Sequence, residues 1–247
     1  MSNAKPSVGA VMLPFDNSEF FARAAESVLV NTDYRIFDLV AAHNPCSSKE
    51  MNRKITDTMQ NLFIKYKNFQ FIVNNENLYH GKGSMEGVRL LPDECDYVVL
   101  MNDDIFIPGN QLDWLSAMVE FMEEHPNVAT LTPSLYHMKE TIYWCGRKEG
   151  KGTHDFLHVP RGHASIPTEP FATSYNNFSI CLIRKRLLDE IPLAQTTIHY
   201  GTDSEFCSRV KEKYPEMEHW VMPKVKLYHE NIYALRENQG KDKNIEG

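Results

Sequence analysis

The chain has 247 residues, 42% of them hydrophobic and 24% charged, and a formal net charge of -7. That length holds one large α/β domain or two small ones, and the acidic balance gives no general attraction to nucleic acid or to an anionic membrane. Five widely spaced cysteines (Cys46, Cys95, Cys145, Cys181, Cys207) with no CxxC pair argue for a reducing compartment and against a disulfide framework or structural zinc. No stretch approaches the roughly 18 apolar residues of a membrane span, and no signal peptide is expected at the start.

In chain order, the first half alternates strand and helix patterns. Residues 8–13 form an apolar run ending at Pro14, and Phe15-Asp16-Asn17-Ser18 offers a helix start. That helix runs to about Val30 and buries Phe21, Ala24, Ala25 and Val28. Residues 37–42 predict a second strand closed by His43-Asn44-Pro45. Ser47-x-x-Glu50 is a capping-box pattern opening a long helix whose inner face carries Met51, Ile55, Met59, Leu62 and Phe63. Residues 69–73 are a third strand, after which Gly81-Lys82-Gly83-Ser84 leads into a short helix through Leu91. Residues 97–101 read as a central strand, 111–124 as a helix with Leu112, Leu115, Val119 and Met122 inward, and 128–131 as a fifth strand.

This alternation with short connections predicts a mostly parallel sheet with helices on both faces. The polar strand ends would then line one edge, the natural nucleotide site of an open α/β sheet. The central strand runs into Asn102-Asp103-Asp104. Two adjacent carboxylates there repel each other and lose solvation. A divalent ion gripping a substrate diphosphate answers that, since Mg²⁺ and Mn²⁺ prefer oxygen ligands; the plainer reading is a capped turn.

The second half changes character. Between Pro133 and Tyr175 the periodicity gives way to aromatic, Gly- and His-rich pieces, the histidines being 137, 154, 158 and 163. Their spacing matches no tight metal motif, so a long substrate-facing loop with antiparallel strands is expected. Residues 178–183 are another buried strand, followed by Arg184-Lys185-Arg186, a solvated helix start or an anion contact. Gly201-Thr202-Asp203 opens a helix, with Asp203 either a cap or something more. The run 225–228 delivers His229.

In combination these motifs resemble family 2-type glycosyltransferases of the GT-A fold, such as the bacterial rhamnosyl- and other sugar transferases, over Val8 to His229. Pro14-Phe15-Asp16-Asn17 resembles the family's opening turn, and Ala42-His43-Asn44-Pro45 a strand end that usually reads Val-Asp-Asn-Gly. Residues 75–87 resemble the donor segment, and Asn102-Asp103-Asp104 with Pro108 the metal-binding DxD. Tyr143-Trp144-Cys145-Gly146 resembles the glycine-marked strand before the acceptor loop, Gly201-Thr202-Asp203 the Gly-Glu-Asp of the catalytic base, and Pro223 with His229 the Pro-x5-His.

The resemblance implies a single domain over residues 5–236, with a nucleotide-sugar half (5–132), an acceptor and catalytic half (133–236) containing a smaller antiparallel part, and a polar tail (237–247). It implies a cytoplasmic, metal-dependent hexosyl- or deoxyhexosyl-transferase, inverting, with Asp203 as base. Pro14, Phe15, Asp16, Asn17, His43, Asn44, Asn77, Lys82, Gly83, Asn102 and Asp103 would hold the nucleotide sugar. Asp104, Asp103 and His229 would hold Mn²⁺ or Mg²⁺, and Trp144, Tyr143, Gly146, Glu205 and the loop from Arg147 to His163 would face a glycan, lipid-linked or other hydroxyl acceptor. A homodimer and a location peripheral to a membrane are compatible with this, while a nucleic-acid acceptor gains nothing from the acidic charge. His43, Tyr79, Met85 and Thr202 depart from the family's usual residues. The alternatives are a GT-A-fold sugar- or nucleotide-binding protein that has lost turnover, and a nucleotidyltransferase-like enzyme. The latter calls for a Gly-rich basic turn after the first strand, where this chain has Pro14-Phe15-Asp16-Asn17.

Overall fold

The computed structural model describes residues 5–34, 36–137, 141–148, 154–160, 167–194 and 201–230. Strand β1 (Val8–Leu13) alternates its side chains between two cores, with Val8, Ala10 and Met12 on one face and Val11 on the other. Helix α1 (Ser18–Val30) starts at Asn17, whose Oδ1 accepts the backbone N–H groups of Glu19 and Phe20 at 3.1 and 3.0 Å. β2 (Ile36–His43) leads to α2 (Lys49–Lys65), which is capped by Ser48 rather than Ser47: the Ser48 hydroxyl accepts Met51 N–H at 3.2 Å. β3 (Phe69–Val73) is followed by α3 (Tyr79–Val88), which starts earlier than the sequence pattern suggested and carries Gly81 and Gly83 inside it. β4 (Tyr97–Asn102), β5 (Ile105–Phe106), α4 (Trp114–Glu124) and β6 (Val128–Tyr136) complete the first half. Phe63 and Leu112, expected inward, are exposed, Leu112 because α4 begins only at Trp114.

The second half adds β7 (Thr141–Lys148), β8 (His154–Pro160), β9 (Phe171–Thr173), β10 (Ile180–Arg184), α5 (Lys185–Glu190), α6 (Thr202–Lys213) and β11 (Glu218–His229). His163 and the tail 237–247 lie outside the described residues. Within the described residues all strands belong to one sheet, ordered β3-β2-β1-β4-β10-β6-β11-β5, with β7 and β8 running off β6 and β9 off β11. The β3-β2-β1-β4 part is parallel. β10 lies antiparallel between β4 and β6, and β6 pairs in parallel with β11. Helices α1, α2 and α4 cover one face through Phe21, Ile55, Met59 and Met118, and α3, α5 and α6 cover the other through Met85, Leu188, Phe206 and Val210. The mixed α/β architecture with helices on both faces is the expected one. β6–β9 supply the expected antiparallel part.

Arg184 is a fold residue, not an anion contact. Its guanidinium donates to the carbonyl oxygens of Val128 (2.7 Å), Met122 (2.6 Å) and His125 (3.2 Å), tying the end of α4 to the start of β6. Lys185 is buried and paired with Asp189.

Candidate active site at the strand ends

The register places the ends of three strands side by side: Leu13 pairs with Asn102, and Met12 with Ala41, two residues before His43. The Pro14–Asn17 turn knits these ends together. Pro14 O accepts Asn44 N–H at 3.2 Å and lies 2.9 Å from His43 Nδ1, while Phe15 N–H donates to Asp103 Oδ2 at 3.0 Å.

Past Asn102 the chain turns through Asp103 and Asp104 into β5, a two-residue strand with no sequence signal of its own. β5 pairs antiparallel with the end of β11, matching Ile105 to His229 and Phe106 to Tyr228. Pro223 sets the aim of that end: it has no N–H to give the ladder, and the β6–β11 register shifts between Met222 and Lys226. The pairing brings His229 Nε2 to 3.5 Å from Asp104 Oδ1, and Glu230 N–H donates to Asp104 O at 2.8 Å. Arg23 on α1 holds Glu230 through a 2.6 Å ion pair.

Asp104 Oδ1 is buried and has no hydrogen-bond partner among the described residues. Burial pushes the Asp104 carboxyl well above the usual range, and the neighbouring Asp103 adds to it. Asp103 is raised too, by burial first and then by Asp16, against the opposing pull of the Phe15 N–H. A buried, unsatisfied carboxylate oxygen is costly, and a cation beside it removes the cost. Among the described residues no group of three His, Cys, Asp or Glu side chains is close enough to hold an ion by itself. The donor set nevertheless fits a divalent ion of the kind bound by one or two carboxylates plus substrate phosphates, and the His229 imidazole tilts the set toward Mn²⁺.

The donor-side candidates divide. Asp16 is exposed at the turn, Asn17 caps α1, and Lys82 is half-buried on α3. His43 is buried, and burial lowers its pKa. The Asn44 amide is engaged on all sides: Nδ2 donates to Tyr79 O, and Oδ1 accepts from Asn74 Nδ2 and Leu78 N–H. Asn77 Oδ1 accepts the N–H of Tyr79, the non-glycine residue of the described chain with a positive φ (57°). Gly83 lies against Asn44, where a Cβ would come within 2.6 Å of Nδ2. Asn44, Asn77 and Gly83 thus fix how α3 sits at the sheet edge.

On the acceptor side, Asp203 opens α6 behind Gly201, whose φ of 90° favours glycine. Asp203 is half-buried, and its Oδ1 accepts Ser204 N–H at 2.8 Å. Glu205 is occupied by Arg209. Trp144 does not face an acceptor: it is 2% exposed and packed with Tyr136, Ile142, Cys145 and Val221. Strand alternation puts its neighbour Tyr143 on the other face, stacked on His229 with ring centroids 4.1 Å apart. Gly146 is a packing position, with φ 83° and Val221 Cγ2 2.6 Å from where a Cβ would be.

His80 was missed by sequence reading, as a lone histidine before a glycine carries no signal. Its Nδ1 is buried without a hydrogen-bond partner. Burial keeps its pKa low, with Asp203 pulling the other way, and the adjacent Gly81 packs against Thr202. Burial raises the Tyr143 pKa, and the charges of Asp104 and Asp203 add to it.

The profile described as "Glycosyl transferase family 2" matches residues 11–191. None of the curated proteins matches the chain. Among solved structures, the mannosyltransferase PcManGT of Pyrobaculum calidifontis in complex with GDP-Man and Mn²⁺ has a TM-score of 0.66 at 10% identity, covering 96% of this chain and 61% of that one. GalNAc-T7 with UDP, GalNAc and Mn²⁺ gives 0.68 at 10% identity, covering 93% and 45%. S. aureus TarS 1-349 gives 0.62 at 16% identity, covering 91% and 60%. The chain therefore spans about half to three-fifths of the length of these structures, and the likeness is one of fold.

Proposed function

The chain belongs to glycosyltransferase family 2, and on that premise we propose that it moves a sugar from a nucleotide-diphosphate donor to an acceptor hydroxyl, with inversion and with the help of a divalent cation. The observation that carries the reading is the Asp104 Oδ1 atom, buried, without a hydrogen bond, and 3.5 Å from His229 Nε2. Residues 5–132 provide the donor half in this reading and 133–236 the acceptor half. Asp104, Asp103 and His229 would hold the cation, which when bound supplies Lewis-acid neutralisation of the leaving diphosphate.

The protein's own groups do the rest. Asp16, Lys82 and the strand-end backbone border the donor, and the Pro14–Asn17 turn keeps Asp103 in place. Asp203 takes the proton of the acceptor hydroxyl. The hydroxyl oxygen forms its bond to the anomeric carbon as the bond from that carbon to the phosphate oxygen breaks, and the nucleoside diphosphate leaves. A direct displacement of this kind inverts the anomeric centre. Complexes of two fold neighbours with Mn²⁺ and a nucleotide or nucleotide sugar support the cation and donor class.

The test is a thermal-shift panel of UDP, GDP, dTDP, CDP and ADP, each with and without Mn²⁺. A ligand that binds only the native state raises its melting point by mass action. The expected outcome is a shift for one nucleotide that requires Mn²⁺ and is lost in Asp104→Ala. No shift for any nucleotide would sink the proposal.

A further inference from the structure

His229 reaches the site at the end of a strand, and nothing in a strand fixes the plane of an imidazole. The 3.5 Å separation from Asp104 Oδ1 is too long for a well-formed hydrogen bond, so that carboxylate does not orient the ring. Tyr143 does lie against it. The two rings are 4.1 Å apart and 15° from parallel, a full face-on stack, and His137 meets the Tyr143 ring edge-on at 5.3 Å. Stacking constrains the imidazole plane while leaving the direction of Nε2 toward Asp104 open.

Tyr143 is itself anchored. Its hydroxyl faces the Ser179 and Asn177 side chains, and Ser179 N–H donates to Asn177 Oδ1 at 2.7 Å. Ser179 is tied to the end of β4: its carbonyl accepts Asn102 N–H at 2.8 Å and its Oγ accepts Asn102 Nδ2 at 3.3 Å. The contacts close a ring through Asn102, Ser179, Tyr143, His229 and Asp104, returning to Asn102 along the backbone. Four members come from β4, its following turn, β10's approach and β11. Tyr143 alone comes from β7 of the antiparallel part.

We propose that Tyr143 is a positioning residue, whose ring face fixes the His229 imidazole as a cation ligand and so couples the acceptor-side strand β7 to the cation position. The proposal rests on the cation reading above and deepens it. Groups that orient a metal-bound histidine typically matter by about 10-fold or more in metal affinity.

The experiment is a titration with Mn²⁺ alone, read by the electron paramagnetic resonance signal of unbound Mn²⁺, on the full chain and its His229→Ala, Tyr143→Phe and Tyr143→Leu variants. His229→Ala is expected to weaken Mn²⁺ by about 10-fold or more. Tyr143→Phe, which keeps the stacking face, should stay within about two-fold of the parent, and Tyr143→Leu should lose about 10-fold or more. Leu binding at parental strength while His229→Ala is weak overturns the role of Tyr143 alone. His229→Ala binding at parental strength overturns the cation reading and this inference together. Phe losing as much as Leu overturns the ring-face assignment. Should the leucine chain fail to fold, Tyr143→Met, with apolar bulk and no planar face, takes its place under the same criteria.

Discussion

Asp104 is stabilised least where the protein needs it most. Its carboxyl is raised by burial and by Asp103, so the folded chain binds that proton more tightly than the unfolded chain does. The stabilising contribution is then fully present below the ordinary aspartate range and is lost as pH rises through the raised folded pKa. As the pH rises through that raised value, the cation-free protein takes on the cost of the charge. Asp104→Asn should therefore raise the melting temperature of the metal-free protein at pH 7.5. The gain should shrink toward pH 4. Calorimetry across that pH range checks it, and an asparagine variant that melts lower at pH 7.5 would contradict the electrostatic account.

Among the elements, α3 illustrates a helix whose residues are chosen for closeness rather than propensity. Three glycines lie inside it, each worth about 1 kcal/mol less than alanine in a helix. Close neighbours explain them: a Cβ on Gly87 would fall 2.4 Å from Val11 Cγ1 of β1, and one on Gly81 2.1 Å from the carbonyl oxygen of Ala194, beyond α5. The helix consequently packs closely against the side chains of β1 and β2 and brings His80 and Lys82 to the strand ends. Gly87→Ala gains propensity but drives a methyl into a β-branched side chain that cannot swing away. A net loss of about 1–2 kcal/mol is expected from overpacking set against propensity, read as a lower denaturation midpoint in urea. A variant as stable as the parent would mean that β1 yields more easily than its full burial implies.

At the scale of the whole molecule, strands from both halves share one sheet. β10 stands between β4 and β6, and β11 pairs with β5. In the proposed function the cation and donor groups stand at strand ends and the base stands on α6, so binding and chemistry should separate on mutation. Asp203→Asn should lower turnover by about 10²- to 10⁴-fold, the usual contribution of a general base. It should leave the Mn²⁺-dependent nucleotide shift intact, because Asp203 lies on α6 and its visible hydrogen bond is to its own helix. Steady-state kinetics beside the thermal-shift assay decides this. Loss of the nucleotide shift in the asparagine variant would place Asp203 in donor binding instead.

The sequence by itself determined the strand-helix alternation, the two-faced parallel part and the carboxylates at the end of β4, because burial periodicity and strand-end chemistry are local properties of the chain. It also singled out Asp203 and His229 as candidates, through the family resemblance of short motifs in order. Tertiary structure decided what those residues touch. The pairing of His229 with Asp104 depends on β5, too short to leave a pattern, and on the register break at Pro223. The choice of Tyr143 over Trp144 as the aromatic at the site is a one-residue question of strand phase, which an apolar-aromatic run cannot resolve. Arg184, open in the sequence between a solvated helix start and an anion contact, ties the end of α4 to β6, and the Asn44 side chain bonds the chain entering α3, since a polar side chain does not announce whether its partner will be backbone or substrate. Contacts between residues far apart in sequence are set by the packing of the whole sheet, and only the folded chain specifies them.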